Sequence, residues 1–218
     1  MYMTHTYGIQ PVNEESIALA VSLIEQGEVV VIPTDTVYGV VAHPVHAQAV
    51  EKIFTVKHRP HEKSVQILAA SLTDTQRYGV RVPQALNPVV STFMPGAVSI
   101  IATVNRSESL ETLATVREEA GGSYTQAVRL PNNPVSLSIL RATGPLAASS
   151  ANLSGNPSPS TAQEAYAQLG DTVSLYLDGG STPGPVASTV VAWDELNKQP
   201  IFLREGAITA QQIRAVLA

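Results

Sequence analysis

The run Val29-Val30-Val31-Ile32, stopped at once by Pro33, constrains this chain more than any other stretch. A short, dense apolar run closed by a residue that cannot donate to a sheet ladder reads as a buried strand with an abrupt end. It empties into Thr34-Asp35-Thr36-Val37-Tyr38-Gly39, a loop rich in hydroxyls. Ala47 to Val56 then carries Val50, Ile53 and Phe54 at helical spacing, which predicts a helix that turns the chain back. That helix delivers Lys57-His58-Arg59-Pro60-His61-Glu62-Lys63, a set of cations opposite the hydroxyl loop. Hydroxyl donors beside clustered cations suit an anion, either a phosphate or a carboxylate.

Elsewhere strand and helix patterns alternate. Asn13 is placed to cap a helix that Gly27 stops. Helices are also expected after Pro83, from Pro134, after Ser160 or Thr161, and after Thr209, where Gln212 completes a capping box. Strands are expected at 28–32, 64–69, 98–104, 127–130, 146–149, 173–177, 187–192 and 201–203. Several strand-to-strand steps lack an intervening helix. The pattern therefore predicts an α/β fold with a mixed parallel and antiparallel sheet flanked by helices. The polar segment Asn105–Gln126, with Gly121-Gly122, reads as a long loop that could close over a ligand. No repeat or linker interrupts the 218 residues, so one domain over 1–218 is expected.

Composition removes several function classes. No cysteine is present, which excludes disulfides, thiolate zinc sites and cysteine nucleophiles. A net charge of -5 argues against a protein coated in nucleic-acid-binding basic surface, although a local basic patch is compatible with it. Met1–Gln10 has neither the charged nor the apolar segment of a signal peptide. No apolar run nears the roughly 18 residues that span a bilayer. A soluble, cytoplasmic protein without membrane contact is expected.

Four predicted strands end in hydroxyl or cationic residues: Thr34/Thr36, Arg129, Ser149/Ser150 with Asn152, and Ser188/Thr189. Arg204 follows a fifth. Ligands of open α/β sheets bind beyond strand ends, so these groups are expected to converge on a central cleft. Each has a plainer reading as well. Thr and Asp of a Pro-Thr-Asp-Thr turn commonly bond their own backbone, and Lys57-x-Arg59 can simply complement a helix C-terminus. Arg129 lies between an apolar strand and Pro131, where burial demands an anionic partner, an internal carboxylate as readily as a ligand. Walker A, G-x-G-x-x-G and G-x-S-x-G patterns are missing. The pairs His43/His46 and His58/His61 lack matching carboxylates, so they read as surface residues and no resident metal site is expected.

As an ordered set these segments resemble the YrdC-like family of threonylcarbamoyladenylate synthases. The resemblance rests on Pro33–Gly39, Lys57-His58-Arg59-Pro60, Met94-Pro95-Gly96, Val128–Pro131, Ser150–Gly155, Asp178-Gly179-Gly180, Ser188-Thr189-Val190 and Leu203–Gly206. It covers about Val12 to Leu217 in the family's order, in a form that looks like the single-domain version. Departures fall at His58, where relatives usually have Gly, at Ser64 and at Ala97. The resemblance implies a reaction in which L-threonine, bicarbonate or CO2, and ATP with Mg²⁺ give threonylcarbamoyl-AMP and pyrophosphate. The product would pass to the tRNA threonylcarbamoyl transferase machinery that modifies adenosine 37, with weak tRNA binding as an accompanying expectation. Residue by residue, it implies catalytic roles for Lys57, Arg59, Ser150 and Asn152, and threonine contacts from Thr34, Thr36, Arg129 and Ser188. ATP contacts would come from Lys57, Arg59, Lys63, Ser99, Ser150, Asn152 and Arg204. Two alternatives stay open: a double-stranded RNA or tRNA binding module, and a transferase that uses carbamoyl phosphate.

Overall fold

The computed structural model describes residues 6–218. The reading of the N-terminus and of the domain span therefore lies, for Met1–His5, outside the described residues. In chain order the first elements are β1 (Ile9–Pro11), α1 (Glu14–Glu25), β2 (Val30–Ile32), β3 (Gly39–Ala42), α2 (Ala47–Lys57), β4 (Gln66–Leu68) and α3 (Leu72–Thr75). β5 (Val80–Arg81), α4 (Asn87–Phe93), β6 (Val98–Val104), β7 (Arg117–Glu118), β8 (Tyr124–Arg129) and α5 (Pro134–Thr143) follow. The last part holds β9 (Leu146–Ser150), α6 (Ala162–Leu169), β10 (Leu175–Asp178), β11 (Thr189–Asp194), β12 (Gln199–Arg204) and α7 (Ala210–Leu217). The caps read from sequence are present. Asn13 and Thr209 each complete a capping box, and Thr161 accepts from the Glu164 N–H.

Among the described residues all strands join one open sheet, ordered β1-β10-β2-β3-β9-β4-β8-β6-β11-β12, with β5 on β6 and β7 on β8. The pairs β1–β10, β10–β2, β4–β8 and β6–β11 run parallel and the others antiparallel. This is the mixed, helix-flanked sheet the sequence predicts. The apolar run explains how it is covered. Val29 and Val31 pack with α2 and α6 residues such as Ile53 and Ala165. Val30 and Ile32 face the other way, onto Ala20 and Ile24 of α1 and Ile139 of α5. Alternation thus sends a continuous apolar run into two layers at once.

The other half of the sheet is covered differently. Val98 and Ile100 of β6 and Val191 of β11 pack on Val89 of α4 and Ile213 of α7. Their alternating neighbours Ile101 and Val190 point to the opposite face, together with Gln66, Ala127 and Arg129, and line an open cleft. The cleft is therefore the face of the sheet that the helices leave free.

Two expectations need correction. Gly39–Ala42 continues the hydroxyl loop as a fully buried strand between β2 and β9, where the sequence suggested only a loop. The segment 105–126 is also more ordered than a plain loop. Arg117–Glu118 and Tyr124–Thr125 form a hairpin, with Gly121 and Gly122 in the left-handed region at φ 97° and 79°. Leu113 is buried, the Thr115 hydroxyl donates to Gln126 Oε1 at 2.6 Å, and the Ala114 N–H donates to the Pro44 carbonyl at 2.8 Å. Polar side chains concealed the hairpin because β7 is exposed on both faces, so no two-residue period marks it. No described helix is long and apolar enough to cross a membrane.

Candidate active site

Arg129 ends β8 with its side chain 3% exposed, and its partner is internal: Nη2 donates to Asp35 Oδ1 at 2.6 Å. Nε donates to the Gly96 carbonyl at 2.9 Å and Nη1 to Thr36 Oγ1 at 2.8 Å. Burial lowers its pKa, Asp35 opposes that shift, and Arg204 adds a smaller lowering by repulsion. Arginine nonetheless stays charged at any pH a folded protein survives. Three of its five N–H groups are thus committed, which leaves two for a ligand in the cleft that Arg129 lines.

Thr34 and Thr36 split between the two readings of their turn. Thr34 Oγ1 donates to the Val37 carbonyl at 2.6 Å and accepts from the Thr36 and Val37 N–H groups, the local role expected of a capped turn. With its proton so used, Thr34 Oγ1 must accept from Thr36 Oγ1 across their 3.1 Å contact. Thr36 therefore donates inward to Thr34 while it accepts from Arg129 Nη1.

The cations are pinned rather than free. Lys57, 1% exposed, donates from Nζ to the Ser150 and Asn152 carbonyls, each at 2.5 Å. Burial first, then Arg59 and Lys63, pull its pKa down to about 7. Arg59 donates from Nη2 to the Ser64 carbonyl at 2.7 Å, and its pKa is lowered by burial and by Arg204. Arg204 donates from Nε to the Ser188 carbonyl at 2.9 Å, and burial lowers its pKa too. Its position depends on Gly206, where a Cβ would stand 2.2 Å from the Ala187 carbonyl oxygen. His58 caps α2 in the left-handed region at φ 47°, which glycine occupies without strain.

A cleft of about 640 Å³ gathers Arg59, Lys63, Arg129, Ser150, Ser188 and Arg204 from five separate segments. Other residues of the expected set stand behind its wall. Lys57, Thr34, Thr36, Ser99 and Asn152 are buried and do not line it. Ser99 Oγ donates to Gln66 Oε1 at 2.6 Å and sits 2.9 Å from Ser188 Oγ. Asn152 closes its own turn by donating from Nδ2 to the Leu153 and Asn156 carbonyls at 2.8 Å, while its buried Oδ1 has no partner. Asp35, Gln66 and Arg117 were not singled out from sequence. Asp35 could have been found as the acid between Thr34 and Thr36 in the strand-end turn; Gln66 carries no sequence signal at all.

Residues 22–206 match the model of the Sua5/YciO/YrdC family, which carries the description "Telomere recombination". The chain belongs to this family. A Mycobacterium tuberculosis protein is 35% identical over 218 residues, covering 99% of this chain and 96% of its own. The Bacillus subtilis threonylcarbamoyl-AMP synthase is 35% identical over 207 residues, 94% of this chain but 57% of the Bacillus protein. The crystal structure of Pyrococcus abyssi Sua5 complexed with L-threonine shares 30% identity and superposes with a TM-score of 0.83. That match covers 96% of this chain and 59% of the Sua5 chain, so this Sua5/YciO/YrdC member spans under two thirds of the length of those two relatives.

Two measurements check the electrostatics. Asp35→Asn keeps the shape of the side chain but leaves the Arg129 charge unpaired. Its unfolding free energy should fall by about 3 kcal/mol or more in urea titration; a loss below about 1 kcal/mol would mark a solvent-screened pair. Lys57 titrates at about 7 in the fold against 10.5 for an ordinary lysine. Between those values the unfolded chain holds a proton that the native chain has released, so stability rises with pH across that window and the penalty is constant below it. The stability of wild type relative to Lys57→Met should therefore climb between pH 7 and 10.5 by on the order of a few kcal/mol. A flat difference would contradict the burial of this charge.

Proposed function

We propose that this Sua5/YciO/YrdC member is an L-threonylcarbamoyladenylate synthase, forming threonylcarbamoyl-AMP and pyrophosphate from L-threonine, bicarbonate or CO2, and ATP. The observation that carries the reading is the crowding of Arg59, Lys63, Arg129 and Arg204 round one cleft beside Ser150 and Ser188. Four cations round one cleft, with a single internal carboxylate paired to one of them, make the group a receptor for a polyanion. Likeness to a Sua5 whose crystal structure contains L-threonine supports the amino-acid half of the substrate set.

In this reading the two unused N–H groups of Arg129 hold the threonine carboxylate. Arg59, Lys63 and Arg204 hold the triphosphate, with Lys57 behind them fixing the Ser150–Asn152 turn. The unprotonated threonine amine adds CO2 and releases a proton to solvent to give a carbamate, a carbamate oxygen attacks the α-phosphorus, and the bond to pyrophosphate breaks as it leaves. No covalent enzyme intermediate is needed, so catalysis is positioning and charge stabilisation. Mg²⁺ would offset part of the phosphate charge. The product is an activated acyl adenylate, which suits transfer to tRNA by a downstream transferase.

Purified protein incubated with ATP, Mg²⁺, bicarbonate and each amino acid in turn should release pyrophosphate only with threonine. Arg59→Ala should lower that rate by roughly 100-fold or more, the scale of losing an electrostatic stabiliser. Salt-sensitive RNA binding without turnover, or turnover only with carbamoyl phosphate, would overturn the synthase reading.

A further inference from the structure

A second polar chain runs along the cleft wall and ends in a group that no part of the reaction above has used. Ser99, 0% exposed, lies between Ser188, 1% exposed, and Gln66. Its 2.6 Å contact with Gln66 is short for an N–H···O bond and ordinary for O–H···O, which orients the amide with Oε1 on the serine and gives the Ser99 proton to Gln66. The Ser188 proton must then go to Ser99 Oγ at 2.9 Å, while Ser188 Oγ accepts from Arg204 Nη2 at 3.2 Å. Every proton in the chain Arg204–Ser188–Ser99–Gln66 points the same way, towards the glutamine oxygen.

Two consequences follow. Ser188 lines the cleft yet has no proton to give a carboxylate, so it can only accept there. Gln66 has its oxygen fixed from behind, and its Nε2 makes no hydrogen bond among the described residues although Gln66 lines the cleft. An amide anchored by its oxygen is pre-organised to donate from its nitrogen. Gln66 starts β4 two residues after Ser64, the end of the Arg59–Ser64 cation turn, and it pairs with Ala148 beside Ser149 and Ser150.

We infer that Gln66 is a substrate-contacting residue whose Nε2 donates to an acceptor oxygen of the bound substrates, with Ser99 and Ser188 as the positioning residues that set its direction. This rests on the synthase reading for the identity of those substrates. The chemistry is an anionic or carbonyl oxygen, supplied either by the nucleotide phosphates or by the carboxylate and carbamate of the amino acid.

Two variants separate donation from mere packing. Gln66→Glu still accepts the Ser99 proton but presents a charged acceptor to the cleft, whereas Gln66→Met abolishes both ends. Dissociation constants for ATP and for L-threonine, and the KM of each, are measured at pH 8 and pH 5 relative to wild type at the same pH. Both variants should weaken binding of the contacted substrate roughly 10- to 100-fold at pH 8. At both pH values Gln66→Glu should lose as much as Gln66→Met or more, because a carboxylate held ionised by the cleft cations has no proton to donate. A loss confined to ATP assigns the oxygen to phosphate, and a loss confined to threonine assigns it to the amino acid. Normal binding of both substrates by both variants would overturn the contact. So would a Gln66→Glu variant that matches wild type at pH 8, which would leave Gln66 only a structural acceptor for Ser99. Wild-type protein that binds ATP and threonine without releasing pyrophosphate counts against the synthase reading alone, since the dissociation constants still judge Gln66. Wild-type protein that binds neither overturns both.

Discussion

Burial lowers the pKa of Lys57, Arg59 and Arg129, and repulsion from neighbouring cations, Arg204 on both arginines and Arg59 with Lys63 on Lys57, adds to it. Buried charges need their N–H groups satisfied, and the local structure supplies partners. Main-chain carbonyls take up N–H groups of Lys57, Arg59, Arg129 and Arg204 and fix each charge in place. One carboxylate, Asp35, compensates the most buried of the arginines, and the rest of the charge is left for a ligand. Such a site costs stability when empty, and an anion that binds only the native fold returns it.

The sheet makes this crowding possible. On the β2 side, helices close both faces and the core is dense apolar packing. On the β6 side, α4 and α7 close one face alone, so alternate residues of β4, β8, β6 and β11 meet the cleft. Strand ends then bring Arg129, Ser150, Ser188 and Arg204 to the same place from positions far apart in the chain. The close approach of Gly206 to Ala187, and the left-handed turn at His58, are the local geometries by which the last strand and α2 deliver their cations.

What the amino-acid sequence disclosed, and what it hid, follows the same physics. Val29–Ile32, the Pro134 helix and the Thr209 capping box announce themselves through local patterns, so those elements could be placed from the chain alone. Arg129 could be said to need an anion because burial of a charge is costly wherever it occurs, but Asp35 as that anion emerges only from the fold. Lys57 and Asn152 look like ligand groups in a motif, yet one braces a turn and the other closes it. Lys57 Nζ and Asn152 Nδ2 serve the backbone that shapes the cleft, a distinction that residue type cannot carry. Gln66 is silent in sequence because its meaning lies in the direction of a proton chain assembled from three strands and a loop.

The central claim, that fixed positive charge at these strand ends holds an amino acid against a nucleotide, is tested most directly by a crystal structure with L-threonine and a non-hydrolysable ATP analogue bound. The expected result places the threonine carboxylate on the two unused N–H groups of Arg129, with Asp35 still paired behind it and the phosphates along Arg59, Lys63 and Arg204. Either ligand lodged outside this cleft, or Arg129 swung away from both Asp35 and the carboxylate, would contradict it.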